Sequence, residues 1–230
     1  MLLDKLKLKK IKGDASFRSF YRKRSFNKTS IIVYAYKEKK KNLLIYDAVN
    51  KLLVKNKILA PKLLSQNYKK NFIEIEDFGR NTIFDLLRKN LANKENIYKE
   101  SINLLNKIQK IRQNKIINFK GKIYKLPIYS KKILFSEAKL FTNWYTKKFI
   151  SKKKLTKLNF LINKQIKFLL SNIKLRNKVF VHRDYHVSNI MNYKGKLATI
   201  DTQDALWGHI AYDLASLIDD VRFKSNNKLK

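Results

Sequence analysis

One short polar segment, placed directly after an apolar run, constrains this chain more than any other feature. The segment VHRDYHVSN, residues 181–189, has the spacing H-x-D-x-x-x-x-N, and Asp201 follows Asn189 after twelve residues. The β-branched and aromatic run 179–181 predicts a buried strand that delivers Asp184 into a loop. A lone H-R-D is common by chance, but this strand, loop and second aspartate together are specific.

Residues 190–200 predict a β-hairpin between the loop and Asp201, with Lys194-Gly195-Lys196 as a three-residue turn. In that register Asn189 lies opposite Asp201, so the hairpin brings an amide oxygen and a carboxylate together. Such hard oxygen ligands suit Mg²⁺. Asp184 stays on the loop to accept or orient the proton of an acceptor hydroxyl. Phosphoryl transfer requires this division of roles.

The run from His182 to Asp220 resembles the active-site half of the aminoglycoside phosphotransferase-like kinases. GDASFRSFYR, residues 13–22, resembles one branch of that family, the bacterial kinases that phosphorylate the anomeric hydroxyl of N-acetylmuramate and N-acetylglucosamine. The two motifs lie at opposite ends of the chain, and the match between them is weak. The resemblance implies an α+β, bilobal protein-kinase-like fold, with a small β-rich N-lobe, a mainly helical C-lobe and ATP between them.

The same resemblance implies roles for individual residues. It makes Asp184 the catalytic base, and Asn189 and Asp201 the Mg²⁺ ligands. The residues expected to support the catalytic loop are His182, Arg183 and Asp213, of which Asp213 is expected to be a buried brace.

Residues 1–79 are expected to form the nucleotide-clamping lobe, and residues 80–230 the catalytic lobe. The turn at the start of the GDASFRSFYR motif can offer backbone N–H groups to phosphate oxygens. Adenine is expected to meet backbone groups of a hinge at EDFG, residues 76–79. The predicted nucleotide-binding residues are Ser16, Phe17, Arg18, Glu76 and Phe78. Lys37, which closes a predicted strand, either touches phosphate or opens a solvated run, and the sequence leaves both alternatives open.

Residues 131–149 predict a helix that carries Glu137 among Phe141, Trp144 and Tyr145. A carboxylate among aromatic rings is typical of sugar binding, and the same stripe at helical spacing is typical of a core. The sequence leaves both alternatives open. The predicted substrate-binding residues are Glu137 and Asp204.

Two departures from the family pattern bear on these roles. Thr202 follows Asp201 where the family usually has an aromatic residue, while Asn189 and Asp201 themselves are intact. Family members also usually continue well beyond the position of Lys230. The C-lobe therefore reads as C-terminally short, and we expect exposed apolar surface and a partner that covers it.

The net charge of +36 raises the question of nucleic-acid binding. The cations are 44 Lys and only 9 Arg, spread along the whole chain, whereas specific base readers rely on Arg. We interpret the charge as a solvated protein surface whose high lysine content reflects an AT-rich genome. We therefore expect no specific nucleic-acid partner. The sequence has no cysteine, which excludes disulfides and thiolate metal sites. No signal-peptide core or membrane-length apolar run is found, so we expect a cytoplasmic protein without a membrane partner.

These observations predict an ATP- and Mg²⁺-dependent small-molecule kinase, whose substrate is an amino sugar of the cell wall. An aminoglycoside, choline or homoserine acceptor stays open as an alternative. A non-catalytic nucleotide-binding module is a second class of function, favoured by the short C-lobe and opposed by the intact Asp184, Asn189 and Asp201.

Overall fold

The computed structural model describes residues 8–11, 18–26, 28–176 and 178–223. Ser16 and Phe17, which the sequence predicts to contact the nucleotide, lie outside these residues.

The first part of the described chain is an antiparallel sheet of five strands in the order β1-β2-β3-β5-β4. The strands are β1 (Leu8–Ile11), β2 (Arg18–Ser25), β3 (Lys28–Ala35), β4 (Leu63–Asn67) and β5 (Phe72–Glu76). Helix α1 (Lys41–Lys55) connects β3 to β4. Ile31, Ile32 and Val33 of β3 are buried because this strand is central and has a neighbour on each side.

The second part is mainly helical. Its helices are α2 (Ile83–Arg88), α3 (Lys94–Gln109), α4 (Lys131–Leu140), α5 (Thr146–Phe149), α6 (Lys152–Asn172) and α7 (Ala211–Ile218). Its strands are β6 (Lys115–Ile117), β7 (Ile123–Lys125), β8 (Val179–Val181), β9 (Ile190–Tyr193), β10 (Lys196–Thr199) and β11 (Leu206–Gly208). Three antiparallel pairs join these strands: β6 with β7, β8 with β11, and β9 with β10. The sequence predicts Thr82 and Asn93 as helix caps, because each precedes a helical pattern. Both residues cap their helices, α2 and α3, by accepting hydrogen bonds from backbone N–H groups.

The predicted boundary between residues 1–79 and 80–230 falls in the connection between β5 and α2. It stays a prediction. The large core crosses this connection, because Leu52 of α1 packs in one cluster with Ile108 of α3 and Phe180 of β8.

Asp47 of α1 corrects a prediction. On the helix that the sequence predicts over residues 42–55, a surface carboxylate is the favoured interpretation of Asp47, and a partner for a phosphate-binding lysine or arginine is the alternative. The residue is only 2% exposed. It accepts a hydrogen bond from the Phe119 N–H at 2.7 Å and pairs with Lys51 at 2.9 Å. Burial raises its pKa. Asp47 therefore ties α1 to the chain that follows β6.

The β9–β10 hairpin forms as predicted, but its register differs by one residue. Tyr193 lies opposite Lys196, so the turn has two residues, Lys194 and Gly195, and both have positive φ. Such a turn matches the twist of the paired strands. The Asn189 carbonyl consequently accepts from the Ile200 N–H at 3.1 Å. The predicted position of Asn189 opposite Asp201 is therefore wrong by one residue.

Two further predictions need correction. Gly121 and Pro127 favour a linker over residues 113–130, but these residues contain the short β6–β7 hairpin. The amphipathic pattern of residues 155–173 predicts a helix that packs on the catalytic strand. Helix α6 instead packs chiefly against α4, α5 and the π-helical turn between them, Phe141–Tyr145, and none of its side chains is buried. Among the helices of the described residues, none has the combination of length and apolarity needed to cross a bilayer.

Many of the large exposed apolar side chains of the described residues lie in the α4–α6 region, namely Leu140, Phe141, Trp144, Tyr145, Phe149, Phe160, Leu161, Phe168 and Leu169. Exposed apolar surface was expected from the sequence. A partner that covers it stays a prediction.

Candidate active site

Strand β8 leads into a loop that contains the H-R-D segment, and Asp213 binds the backbone of this loop. Asp213 lies on α7 and is completely buried. It accepts hydrogen bonds from the backbone N–H groups of His182 at 2.7 Å and of Arg183 at 3.0 Å. Burial raises its pKa to about 7, against the opposing effect of these two donors. Arg183 has a φ of 76°, so the loop bends sharply where Asp213 grips it.

His182 is a neutral structural residue. Its side chain is fully buried, and its Nε2 lies 2.7 Å from the Thr199 Oγ1 on β10. Burial lowers the pKa of the ring to about 4. The ring therefore fixes the loop to the hairpin without carrying a charge.

Asp184 lies where two cavities meet. One cavity, of about 930 Å³, is bounded by the sheet, α1 and the β9–β10 hairpin. The other, of about 420 Å³, is lined by Glu137, Arg183, Asp184, Asp204 and Tyr212. Asp184 and Asp204 line both. The Asp184 carboxyl faces these cavities. Partial desolvation by the surrounding protein raises its pKa, and the negative charge of Asp201 raises it further.

The large cavity has apolar walls and a polar end. Ile31 and Ile75 of the sheet face it from one side, and Met191 and Ile200 from the other. Such a slot fits a flat apolar ring. The polar end contains the predicted nucleotide and metal residues, which are Arg18, Asp184, Asn189 and Asp201.

The predicted hinge lines the same cavity. Phe78 packs on Tyr193 with ring centroids 4.7 Å apart, and the Glu76 carboxylate accepts from the Lys62 N–H at 3.1 Å. Lys37, in contrast, is not among the described residues that line the cavity.

An arginine and an aspartate that the sequence prediction missed fix the hinge to β2. Arg22 binds both carboxylate oxygens of Asp77, at 2.6 and 2.9 Å, and donates to the Gly79 carbonyl at 2.6 Å. Burial raises the pKa of Asp77, but these contacts with Arg22 and the hydrogen bond from the Gly79 N–H lower it by more, so that it lies below its ordinary value. The two residues lie 55 positions apart, so no local pattern could reveal the pair.

Asn189 and Asp201 each have an oxygen available on the large cavity. The Asn189 Nδ2 donates to the Asp184 carbonyl at 3.0 Å and to the His186 Nε2 at 3.2 Å, which leaves Oδ1 for a cation. Asp201 accepts a hydrogen bond from Arg18 through Oδ1, which leaves its Oδ2 for a cation. His186, which sequence reasoning did not assign to the site, thus orients the amide.

An amide oxygen and a carboxylate oxygen fit Mg²⁺, which also retains water and phosphate ligands. Within the described ranges, no group of three or more His, Cys, Asp or Glu side chains is gathered as a closed metal site. An ion held here would therefore depend on the phosphates of a nucleotide to complete its coordination.

Glu137 lines the small cavity. This position agrees with the sugar-binding alternative for Glu137 rather than with the core alternative. It forms an ion pair with Arg183 and accepts a hydrogen bond from the Tyr129 hydroxyl. The Tyr129 and Tyr212 rings lie 5.1 Å apart beside it. The aromatic residues expected around Glu137 point elsewhere, since Trp144 is 76% exposed and lines neither cavity.

Solved structures establish which class of fold this is. An ADP-bound aminoglycoside phosphotransferase, APH(2'')-Ib, superposes with a TM-score of 0.66 at 14% identity, over 99% of this chain and 77% of that one. A choline kinase from Cryptosporidium parvum superposes with a TM-score of 0.62 at 13% identity, over 99% and 69% of the two chains. The fold is thus the bilobal, protein-kinase-like α+β fold that the sequence predicted.

The chain belongs to the phosphotransferase enzyme family (APH), whose model matches residues 7–228. It is similar to an N-acetylmuramate/N-acetylglucosamine kinase of Neisseria meningitidis, with 28% identity over 213 residues, and to one of Pseudomonas putida, with 25% over 209. These matches cover 91% of this chain, but only 60% and 58% of the two relatives. The family predicted from the H-R-D segment is therefore confirmed.

Proposed function

We propose that this protein is an ATP-dependent kinase that transfers the γ-phosphate to a hydroxyl of an amino sugar. The observation that carries the proposal is the position of Asp184 between a large cavity with two oxygen ligands and a small polar cavity. The relatives named as N-acetylmuramate/N-acetylglucosamine kinases support the choice of acceptor. The choice of the anomeric hydroxyl rests on the resemblance of residues 13–22 to the anomeric sugar kinases. Because the reaction consumes ATP, we place it in the cytoplasm.

ATP would occupy the large cavity. Its adenine fits the apolar slot beside Glu76 and Phe78, and its phosphates fit the polar end beside Arg18. Ser16 and Phe17, which precede β2 in the sequence, are proposed as further phosphate contacts. Asn189 and Asp201 would hold Mg²⁺, which neutralises phosphate charge when it is bound.

Asp184 would act as the base. Its carboxylate takes the proton of the acceptor hydroxyl, whose oxygen bonds to the γ-phosphorus as the bond to the bridging oxygen of ADP breaks. The raised pKa of Asp184 makes it a better proton acceptor than an ordinary aspartate. Asp213, His182 and Arg183 keep the loop in place through the hydrogen bonds described above.

The acceptor would occupy the small cavity. Glu137 and Asp204 offer acceptors for sugar hydroxyls, and Tyr212 offers a donor beside an aromatic face. Arg183, held by Glu137, closes the wall.

A second candidate acceptor is a cationic alcohol, such as an aminoglycoside or choline. The small cavity has three carboxylates, Glu137, Asp184 and Asp204, against the single guanidinium of Arg183. It is therefore locally acidic in a chain with a net charge of +36. Homoserine phosphorylation and nucleotide binding without transfer are the remaining alternatives.

The test is a transfer assay with γ-labelled ATP and Mg²⁺. The acceptors are N-acetylglucosamine, N-acetylmuramate, the methyl glycoside of N-acetylglucosamine, choline and kanamycin. Transfer to the two free sugars and not to the methyl glycoside, which lacks an anomeric hydroxyl, supports the proposal. Transfer to choline or kanamycin alone replaces it with the second candidate. Saturable ADP binding with no transfer to any acceptor favours the non-catalytic module.

A further inference from the structure

Thr202, the residue that departs from the family pattern, is buried and bonded to the small lobe. Its hydroxyl donates to the Asn50 Oδ1 at 2.6 Å, across a sequence separation of 152 residues. Thr202 is completely buried, and Asn50 on α1 is 3% exposed. A hydrogen bond in such an environment is costly to break, because either partner alone would be an unsatisfied buried polar group.

Helix α1 also holds the group that binds the Asp201 carboxylate. Tyr46 precedes Asn50 by one helical turn, and the Arg18 guanidinium lies 5.9 Å from the Tyr46 ring centroid. The same guanidinium donates to the Asp201 Oδ1 at 3.1 Å. We call Arg18, Tyr46, Asn50, Asp201 and Thr202 the Asp201 cluster. Its contacts lead from Tyr46 on α1 through Arg18, Asp201 and Thr202 back to Asn50 on the same helix.

The backbone of Asp201 needs such support. It has a φ of 60°, in the left-handed region that residues other than glycine rarely adopt, and a 3₁₀ turn, Thr202–Asp204, follows at once. The cluster holds Asp201 twice, through Arg18 on its side chain and through Asn50 on the neighbouring residue. The direction of the carboxylate therefore depends on the position of α1.

We propose that Asn50 and Thr202 are positioning residues for the metal–nucleotide site. Their hydrogen bond sets Asp201 from the small lobe, so that its free oxygen faces the cation bound with the nucleotide. Phenylalanine at position 202 would have no polar side-chain atom and could not form this directional bond. The inference rests on the proposed function, since it assumes that Asp201 binds a cation with ATP.

The test measures metal binding directly. Mn²⁺ is titrated into the protein–ADP complex and free Mn²⁺ is followed by electron paramagnetic resonance, for wild type, Thr202→Val and Thr202→Ser. Thr202→Val keeps the side-chain shape and removes the hydroxyl, so we expect about tenfold weaker Mn²⁺ binding, the loss of one buried hydrogen bond. Thr202→Ser restores the hydroxyl and should bind within about twofold of wild type.

Thr146→Val is the matched control. Thr146 is 2% exposed and its hydroxyl donates to the Asn159 Oδ1 at 2.8 Å, but it lines neither cavity. It should lose thermal stability and keep wild-type Mn²⁺ affinity. Equal losses of Mn²⁺ affinity in Thr146→Val and Thr202→Val would overturn the proposal, because the effect would then be one of general stability.

Asn50→Leu completes a double-mutant cycle and covers the case in which Thr202→Val fails to fold. If the bond acts as a unit, Asn50→Leu alone weakens Mn²⁺ binding about tenfold, and adding Thr202→Val weakens it little further. Additive losses, or wild-type affinity in Asn50→Leu, would contradict the proposal. The acceptor KM should stay unchanged throughout. A wild-type protein that binds Mn²⁺ and ADP but transfers no phosphate would reject the kinase activity and leave this inference standing.

Discussion

Arg18 and Asp201 are joined by an ion pair across 183 positions of the sequence, with the Arg18 Nη2 3.1 Å from the Asp201 Oδ1. The Arg18 side chain is 5% exposed and that of Asp201 35%, so the pair lies at the inner end of the large cavity. A predicted nucleotide contact and a predicted metal ligand thus meet in one interaction between the sheet and the catalytic lobe.

We expect Arg18→Gln to weaken binding of the Mg²⁺ complex of a non-hydrolysable ATP analogue by about tenfold to a hundredfold. A hydrogen bond to a charged group contributes about 1.5–3 kcal/mol, and Arg18 lies where the phosphates fit. Titration calorimetry measures the affinity. Arg88→Gln, an exposed arginine on α2, is the control and should bind like wild type. Unchanged affinity in Arg18→Gln would remove Arg18 from the nucleotide site.

Glu137→Gln tests the wall of the small cavity. Glutamine can still accept from the Tyr129 hydroxyl but loses the charge that holds Arg183. We expect the acceptor kcat/KM to fall about tenfold, because one charged contact is lost, while ADP binding stays at the wild-type level. Steady-state kinetics with N-acetylglucosamine provide the measurement, with the exposed Glu100→Gln as control. A drop in ADP affinity equal to the drop in kcat/KM would instead indicate general damage.

Local signals allowed much of this fold to be predicted. Strand β8, the β9–β10 hairpin and the caps at Thr82 and Asn93 follow from apolar runs, a glycine turn and capping residues, which act over a few positions. The hairpin register was wrong by one residue because a two-residue and a three-residue turn both accommodate Gly195.

Long-range packing could not be predicted. The burial of Asp47 depends on a backbone N–H 72 positions away, and the Arg22–Asp77 pair joins a strand to the hinge. The aromatic stripe of the predicted helix 131–149 shows the same limit. Helical spacing places Phe141 and Trp144 on that helix, but it does not indicate whether a face meets the core, the cavity or solvent.

His182 should make stability depend on pH. Its pKa is 6.5 in the unfolded chain and about 4 in the folded protein. The unfolded chain therefore takes up a proton first as pH falls, so the contribution of His182 to stability is present above pH 6.5 and is lost towards pH 4. The loss is on the order of 3 kcal/mol.

Asp213 has the opposite effect and must be separated from it. Its pKa is raised from 3.8 to about 7, so its contribution is present below pH 3.8 and is lost as pH rises towards 7. Denaturant unfolding of wild type and His182→Gln between pH 4 and 7.5 isolates the histidine, because Asp213 is common to both. The wild-type advantage should shrink as pH falls. A difference that is constant with pH would mean that His182 does not titrate as described.

The most direct test of the kinase account compares wild type with Asp184→Asn in two measurements on the same preparations. These are phosphate transfer from ATP to N-acetylglucosamine with Mg²⁺, and binding of Mg²⁺·ADP. We expect transfer by wild type, a loss of at least about a thousandfold in Asp184→Asn, and similar ADP binding in both, because the general base is removed while Asn189 and Asp201 remain. Transfer by Asp184→Asn at the wild-type rate would contradict the assignment of Asp184 as the base.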